Sequence, residues 1–232
     1  MAARGLNVAA AADSLWCTLD GGLAVHRMHP HHAAQLEQLQ TIVFPTLQDS
    51  ERFKAAHYLR HIAQFAQGQF VVTDGDRVVG MTSTLCTDFD FAHPDHTFAS
   101  VIAGGWLSSH RPTGAWLYGA DIGTHPDYRG RGIARALYAA RHSTVAKLGL
   151  CGQVTVGMLS GLGAARHSID AQRYYAELVS GTRSDPTISA QLRIGFQAKG
   201  LIANYINDPV CDGYGVLLVL PADHPVPIAR HA

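Results

Sequence analysis

The run Arg129-Gly130-Arg131-Gly132-Ile133-Ala134 places two glycines and two arginines at the entry to a stretch of helical apolar periodicity. Bare backbone at a helix start is suited to binding anions. The first amide N–H groups there have no intrahelical partner, and the helix dipole adds partial positive charge. A side chain at Gly130 or Gly132 would hold a phosphate away from those amides. Spacing excludes two common phosphate loops. A Walker loop needs Gly-x-x-x-x-Gly-Lys-Ser/Thr, which the chain lacks. A dinucleotide fingerprint needs a third glycine, but Gly132 is followed by Ile133, Ala134 and Arg135. Just upstream, Tyr118 and Asp121 lie on an apolar run that reads as a strand. Strict alternation puts residues 118, 120, 122 and 124 on one face and Asp121 on the other, although a bulge would restore it. Asp121 is suited to capping the turn or pairing with an arginine.

The pattern Arg129-x-x-Gly132-x-Ala134, led in by His125-Pro126-Asp127-Tyr128, resembles the Arg/Gln-x-x-Gly-x-Gly/Ala signature of GNAT-type N-acetyltransferases. That resemblance implies acetyl-coenzyme A as co-substrate, its pyrophosphate held on the amides of Arg129, Gly130, Arg131, Gly132, Ile133 and Ala134. It further implies that Ile122, Gly123 and Thr124 line the pantetheine arm as an added strand would, with a splay or bulge after Gly123 freeing an oxyanion donor. The expected reaction is direct attack by an amine in a ternary complex. Many relatives carry a glutamate base on the strand before the turn. The matching position here is closest to Tyr118, and Asp121 is the nearest carboxylate, so these two are the catalytic candidates. Relatives also place a tyrosine acid four residues before the Gly-Phe of the last helix. Here Gln191 stands there, which donates a hydrogen bond but no proton; Tyr174 and Tyr175 are the substitutes at hand. The C-terminal half resembles a subgroup in which this domain joins a carbon–nitrogen hydrolase, through Asp185-Pro186-Thr187, the run 191–196 and the run 204–209. At 232 residues the chain is expected to hold no such hydrolase of its own.

These residues need a scaffold, and periodicity supplies one. Strands are expected over 22–28, 115–124, 153–158, 196–206 and 213–220. A hairpin is expected where 70–73 and 78–85 flank Asp74-Gly75-Asp76. Helices are expected over 31–43, from an N-cap at Ser50 to Gly68, over 131–148, over 169–179 with Ser168 as cap, and from Asp185-Pro186 to Gly195. Residues 87–114 read as a long connection, partly helical around 97–104. The order matches the resemblance: an α/β (α+β) domain whose mixed, largely antiparallel central sheet is flanked by helices. A single domain over 21–220 is expected, with an N-terminal arm over 1–20 and a tail over 221–232.

The composition narrows the partners. Apolar residues are 47% and charged residues 16%, enough for a sizeable core. Eighteen basic and 18 acidic residues give a formal charge of zero, which argues against a general nucleic-acid binder and favours self-association, so a homodimer is the expectation. No stretch approaches a membrane span or a signal peptide, and Cys17, Cys86, Cys151 and Cys211 stand too far apart for a disulfide framework, so the cytoplasm is expected. The histidines of His29-Pro30-His31-His32 and His93-x-x-His96 lack companion cysteines or His-Glu-x-x-His spacing, so no metal is expected. A histidine of the long connection remains a candidate base. Two other readings stand beside the enzyme: a non-catalytic coenzyme A-binding module, favoured by the missing glutamate and tyrosine, and an interaction protein that keeps the fold for dimerisation.

Overall fold

A computed structural model describes residues 14–227. Eight strands form one sheet in the order β1-β2-β3-β4-β5-β6-β8-β7. They are β1 (Leu15–Thr18), β2 (Leu23–Arg27), β3 (Phe70–Asp74), β4 (Arg77–Thr87), β5 (Trp116–Thr124), β6 (Gly152–Met158), β7 (Gln197–Ile202) and β8 (Gly215–Pro221). Every pairing is antiparallel except β5 with β6. The β3–β4 hairpin closes through Gly75-Asp76, with Gly75 at φ +54° as a tight turn requires.

The helices are α1 (Ala33–Val43), α2 (Ala55–Phe65), α3 (Phe98–Ile102), α4 (Ile133–Leu148), α5 (Leu162–Ala165), α6 (Ala171–Val179) and α7 (Ile188–Ile194). Two layers cover the sheet. On one face α4 sets Ile133, Ala136, Leu137 and Ala140 against Leu23, Val25, Phe70, Val72 and Val79. The opposite face carries the larger core, where Leu36, Tyr58, Met81, Leu85 and Tyr118 meet. Buried on both faces, the middle of β4 is apolar or hydroxylated without alternation. Gly149 ends α4 in the left-handed conformation, its N–H returning to Val145 and Ala146 carbonyls.

Several boundaries differ from expectation, each for a local reason. Ser50 lies in a short 3₁₀ turn, Asp49–Glu51, and α2 begins only at Ala55, whose N–H is taken by Glu37 Oε2 at 2.9 Å. Ser168 turns its hydroxyl back to the Ala165 carbonyl, and Asp170 caps α6 instead, its Oδ1 accepting the Arg173 N–H at 2.8 Å. The strand expected over 196–206 ends at Ile202, and Asn204 follows at φ +54°. Leu15–Thr18, placed in the N-terminal arm by sequence, pairs with β2 as an edge strand. Residues 1–13 of that arm and 228–232 of the tail lie outside the described residues.

Candidate active site

β5 is the axis of the site. Its register against β4 pairs Ser83 with Asp121 but Thr84 with Gly119, so Ala120 is an extra residue in a bulge. The bulge resets alternation and turns Asp121 onto the face of α1 and α2. Its pairing with β6 covers only Leu117, Tyr118 and Gly119. Beyond Gly119 the two strands part, four residues earlier than the splay expected after Gly123. The opening is a cavity of about 480 Å³, within the range of small-molecule sites. Residues 119–124 of β5 form one wall and residues 155–158 at the end of β6 another.

Arg141 and Thr82 brace the bulge from beneath. Arg141 of α4 is almost wholly buried, and its Nη2 donates to the Asp121 carbonyl. Arg141 Nε donates to Thr82 Oγ1 at 2.6 Å, and that hydroxyl donates to the same carbonyl at 2.7 Å. The guanidinium occupies the space that a side chain at Gly119 would need. Asp121 is 8% exposed and takes three donors: Gln40 Nε2 at 2.7 Å, the Tyr58 hydroxyl at 3.3 Å and the Ser83 N–H at 2.5 Å. Burial raises its carboxyl above the usual range, while Ser83, Arg141 and Tyr58 pull the other way.

The glycine turn lies at one end of the cavity. Gly130 and Gly132 both have φ +78°, and a Cβ at either would meet nothing within 4 Å. Their glycines answer to backbone conformation, and the space above them is open. Arg129 and Ala134 line the cavity, Arg131 stacks on Tyr128 at 4.8 Å, and Ile133 packs its side chain into the core under α4. Ile122, Gly123 and Thr124 also line the cavity. A Cβ at Gly123 would come within 2.9 Å of Val43 Cγ1 and 3.0 Å of Met81 Cε, so close packing of α1 already requires glycine there.

Residues to which sequence reasoning gave no catalytic role also line the cavity. Tyr138 of α4 faces the cavity, and its hydroxyl accepts from Gln191 Nε2 at 2.8 Å. Gln191 is 3% exposed and its Oε1 has no partner. Burial raises the Tyr138 phenol, keeping it protonated. The remote end carries Glu51 and Asp208. Burial and the nearby Asp208 charge raise the Glu51 carboxyl, and its Oε2 has no partner. The helical period carried a hint of Tyr138, which reads as one more apolar residue of α4.

Tyr118 is buried outside this cavity and lines a second one of about 240 Å³ with the loop residues Asp88, Phe89, Asp90, His93 and His96. Tyr174, a suggested acid, donates instead to Asp185 Oδ2 at 3.1 Å. Among the described residues no group of three or more histidines, cysteines or carboxylates gathers as a metal site. Among them, too, no helix is long and apolar enough to cross a membrane.

Residues 33–156 match the model of the acetyltransferase (GNAT) family. The chain belongs to that family. It is 30% identical over 158 residues to the uncharacterized N-acetyltransferase YkwB of Bacillus subtilis (strain 168), covering 68% of this chain and 70% of that protein. It is 29% identical over 170 residues, 73% of this chain, to the probable hydrolase YhcX of the same organism, but spans only 33% of that protein's length. The solved structure of GphF, a GNAT-like decarboxylase in complex with isobutyryl-CoA, matches with a TM-score of 0.69 at 22% identity, over 85% of this chain and 98% of that one. At that identity the likeness is one of fold. Acyl transfer from a coenzyme A thioester is the general activity that membership carries.

Proposed function

We propose that the protein is an acetyl-coenzyme A-dependent N-acetyltransferase that acts on the amine of a small molecule or peptide by direct attack in a ternary complex. The observation that carries this reading is one continuous cavity. It runs from Arg129 and Ala134 at the glycine turn, along the unpaired part of β5, to the carboxylates Glu51 and Asp208. The residues present fit coenzyme A. Open left-handed glycines at a helix start suit a pyrophosphate. The β5 backbone beyond Gly119 has no strand on its β6 side, which suits the amides of a pantetheine arm.

Bound acetyl-coenzyme A supplies an activated acetyl thioester. The chain's own part is to hold and orient it, present an N–H of the splayed β5 to the carbonyl oxygen, and handle two protons. Tyr138 lines the cavity and is the phenol that donates to the departing sulfur in this reading. Its hydroxyl accepts from Gln191, which leaves its own hydrogen for a ligand. Gln191 thus works beside a phenol rather than replacing one. The carboxylates of Glu51 and Asp208 suit a cationic acceptor. They also disfavour the acyl-carboxylate substrate that a decarboxylase would need, since like charges at one site are costly.

Calorimetric titration with acetyl-coenzyme A, on the parent and on Gly132→Asp, comes first. Binding that Gly132→Asp abolishes, followed by thiol release with members of an amine panel, supports the proposal. Binding without turnover on any amine leaves a coenzyme A-binding module, and a folded parent that binds none sinks the reading.

A further inference from the structure

Tyr118 stands between the two cavities. Its hydroxyl is 2.8 Å from His96 Nε2 on the outer side and 3.1 Å from the Tyr205 hydroxyl on the inner side. Tyr205 lines the main cavity, and His96 lines the outer one among loop residues of the long connection. His96 Nδ1 lies 2.6 Å from the Pro94 carbonyl, which can only accept. That contact fixes the tautomer: Nδ1 carries the hydrogen and Nε2 is left as acceptor. The direction of the whole chain follows. Tyr118 donates to His96, Tyr205 donates to Tyr118, and the Tyr205 oxygen is left to accept a hydrogen from the cavity.

We propose that Tyr205, Tyr118 and His96 form a relay that takes the proton of the acceptor nitrogen out of the main cavity. It occupies the place of the glutamate absent from β5. The proposal rests on the transferase reading. The acceptor attacks as the free amine, its ammonium proton lost to solvent beforehand. As its nitrogen forms its bond to the acetyl carbon and the carbon–sulfur bond breaks, the nitrogen gives a further proton to the Tyr205 oxygen. Tyr205 passes its own proton to Tyr118, and Tyr118 passes its own to His96 Nε2, making an imidazolium that loses a proton to solvent in the outer pocket. The sulfur takes one proton from Tyr138, which is refilled from solvent, so no net charge accumulates. Both phenols remain neutral between turnovers, since burial raises Tyr118 and Tyr205 far above the working range. Only Tyr205 lies on the cavity; Tyr118 and His96 act through it.

Burial lowers His96 below its ordinary value, opposed by the Pro94 hydrogen bond and the Asp95 charge. It is therefore neutral and able to accept at pH 7. The titratable neighbours are Asp88, Asp90, His93 and Asp95 on its own loop, Tyr118 from β5, and Tyr205 with Cys211 from the β7–β8 connection. Activity is expected to fall as pH drops through the lowered His96 value, placing the acid limb of kcat/KM below ~6.5.

The test uses acetyl-coenzyme A with spermidine, 1,4-diaminobutane and a free peptide N-terminus as acceptors, on the parent, His96→Gln, Tyr118→Phe and Glu51→Gln. His96→Gln keeps an acceptor but cannot titrate. The expected result is a kcat lower by about 10²-fold in His96→Gln and Tyr118→Phe, with acetyl-coenzyme A affinity unchanged. The acid limb disappears in His96→Gln and persists in Glu51→Gln. Nitrogen-15 resonances are expected to show His96 protonated on Nδ1 in the neutral ring. A limb that persists in His96→Gln and vanishes in Glu51→Gln overturns the relay and makes Glu51 the base. A neutral His96 protonated on Nε2 also overturns it. Intact acetyl-coenzyme A binding with no turnover on any acceptor removes the transferase reading and the relay with it.

Discussion

Asp121→Asn separates a structural carboxylate from a catalytic one. In the parent, Asp121 Oδ2 accepts from Gln40 and Tyr58, and Oδ1 from the Ser83 N–H. If the asparagine oxygen stays on Ser83, its Nδ2 faces the Gln40 Nε2, donor against donor. Gln40 can turn its amide, but its Nε2 also holds the Tyr58 hydroxyl at 2.6 Å, so that contact must reorganise too. Losing one hydrogen bond to a charged acceptor costs about 1.5–3 kcal/mol. The buried Arg141 also loses the carboxylate whose charge supports it. Removing one partner of a buried charge pair costs about 3–5 kcal/mol when nothing else compensates. Arg141 keeps its bonds to Thr82 and to the Asp121 carbonyl, so the combined loss should be about 3 kcal/mol, or a melting point lower by roughly 6–12 °C. Urea unfolding measures the loss, and kcat at a temperature where the variant is folded should stay within about fivefold of the parent. Unchanged stability with kcat down by about 10²-fold or more would refute the structural account and make Asp121 the base.

Other perturbations have equally definite signs. Gly132→Ala must hold an alanine at φ +78°, a left-handed strain of about 1–2 kcal/mol, with no side chain nearby to relieve or worsen it. Thermal melts should show that loss, and calorimetry should show weaker acetyl-coenzyme A binding. Tyr138→Phe keeps the packing and removes the proton, so kcat should fall about 10²-fold with little change in KM for acetyl-coenzyme A; an unchanged kcat would exclude Tyr138 as acid. His61 is buried, donates Nε2–H to the Gly105 carbonyl at 2.7 Å, and is lowered by burial to about 4. The unfolded chain takes up its proton as pH falls through ~6.5 while the folded ring stays neutral, so stability is full above ~6.5 and declines toward pH 4. Its share is roughly 2 kcal/mol by pH 5. Urea unfolding at pH 7.5 and 5 should show a smaller difference in His61→Gln, and equal differences would refute the assignment.

The sheet and its helices were legible wherever several local signals agreed. The glycine turn joins apolar strand, left-handed glycines and helical period in one continuous segment, Trp116 to Leu148, and the β3–β4 hairpin joins two strands across a two-residue turn. Helix starts were less legible because Ser50 and Ser168 offer capping chemistry that Glu37 and Asp170 supply from better positions. The working contacts of the site were not legible. Tyr138 and Gln191 are 53 residues apart, Tyr118 and Tyr205 are 87 apart, and His96 and Tyr118 are 22 apart. No period or motif links such positions, because the sheet order alone brings them together.

Asp121 shows how the fold gives a candidate base a structural task. Pairing of β5 with β6 must stop if backbone amides are to face a ligand, and the bulge at Ala120 coincides with that stop. A bulge strands a carbonyl, here that of Asp121, which must be satisfied away from water. Arg141 does so from beneath, filling the space left by Gly119. A buried guanidinium in turn needs a carboxylate nearby, and the reset alternation puts Asp121 among Gln40, Tyr58 and Ser83, where both its oxygens accept hydrogen bonds. The buried carboxylate of Asp121 thus belongs to the network that accompanies the opening of the sheet. On the relay reading the proton leaves by other groups, and the phenol at position 118, reaching from one cavity to the next, is its path.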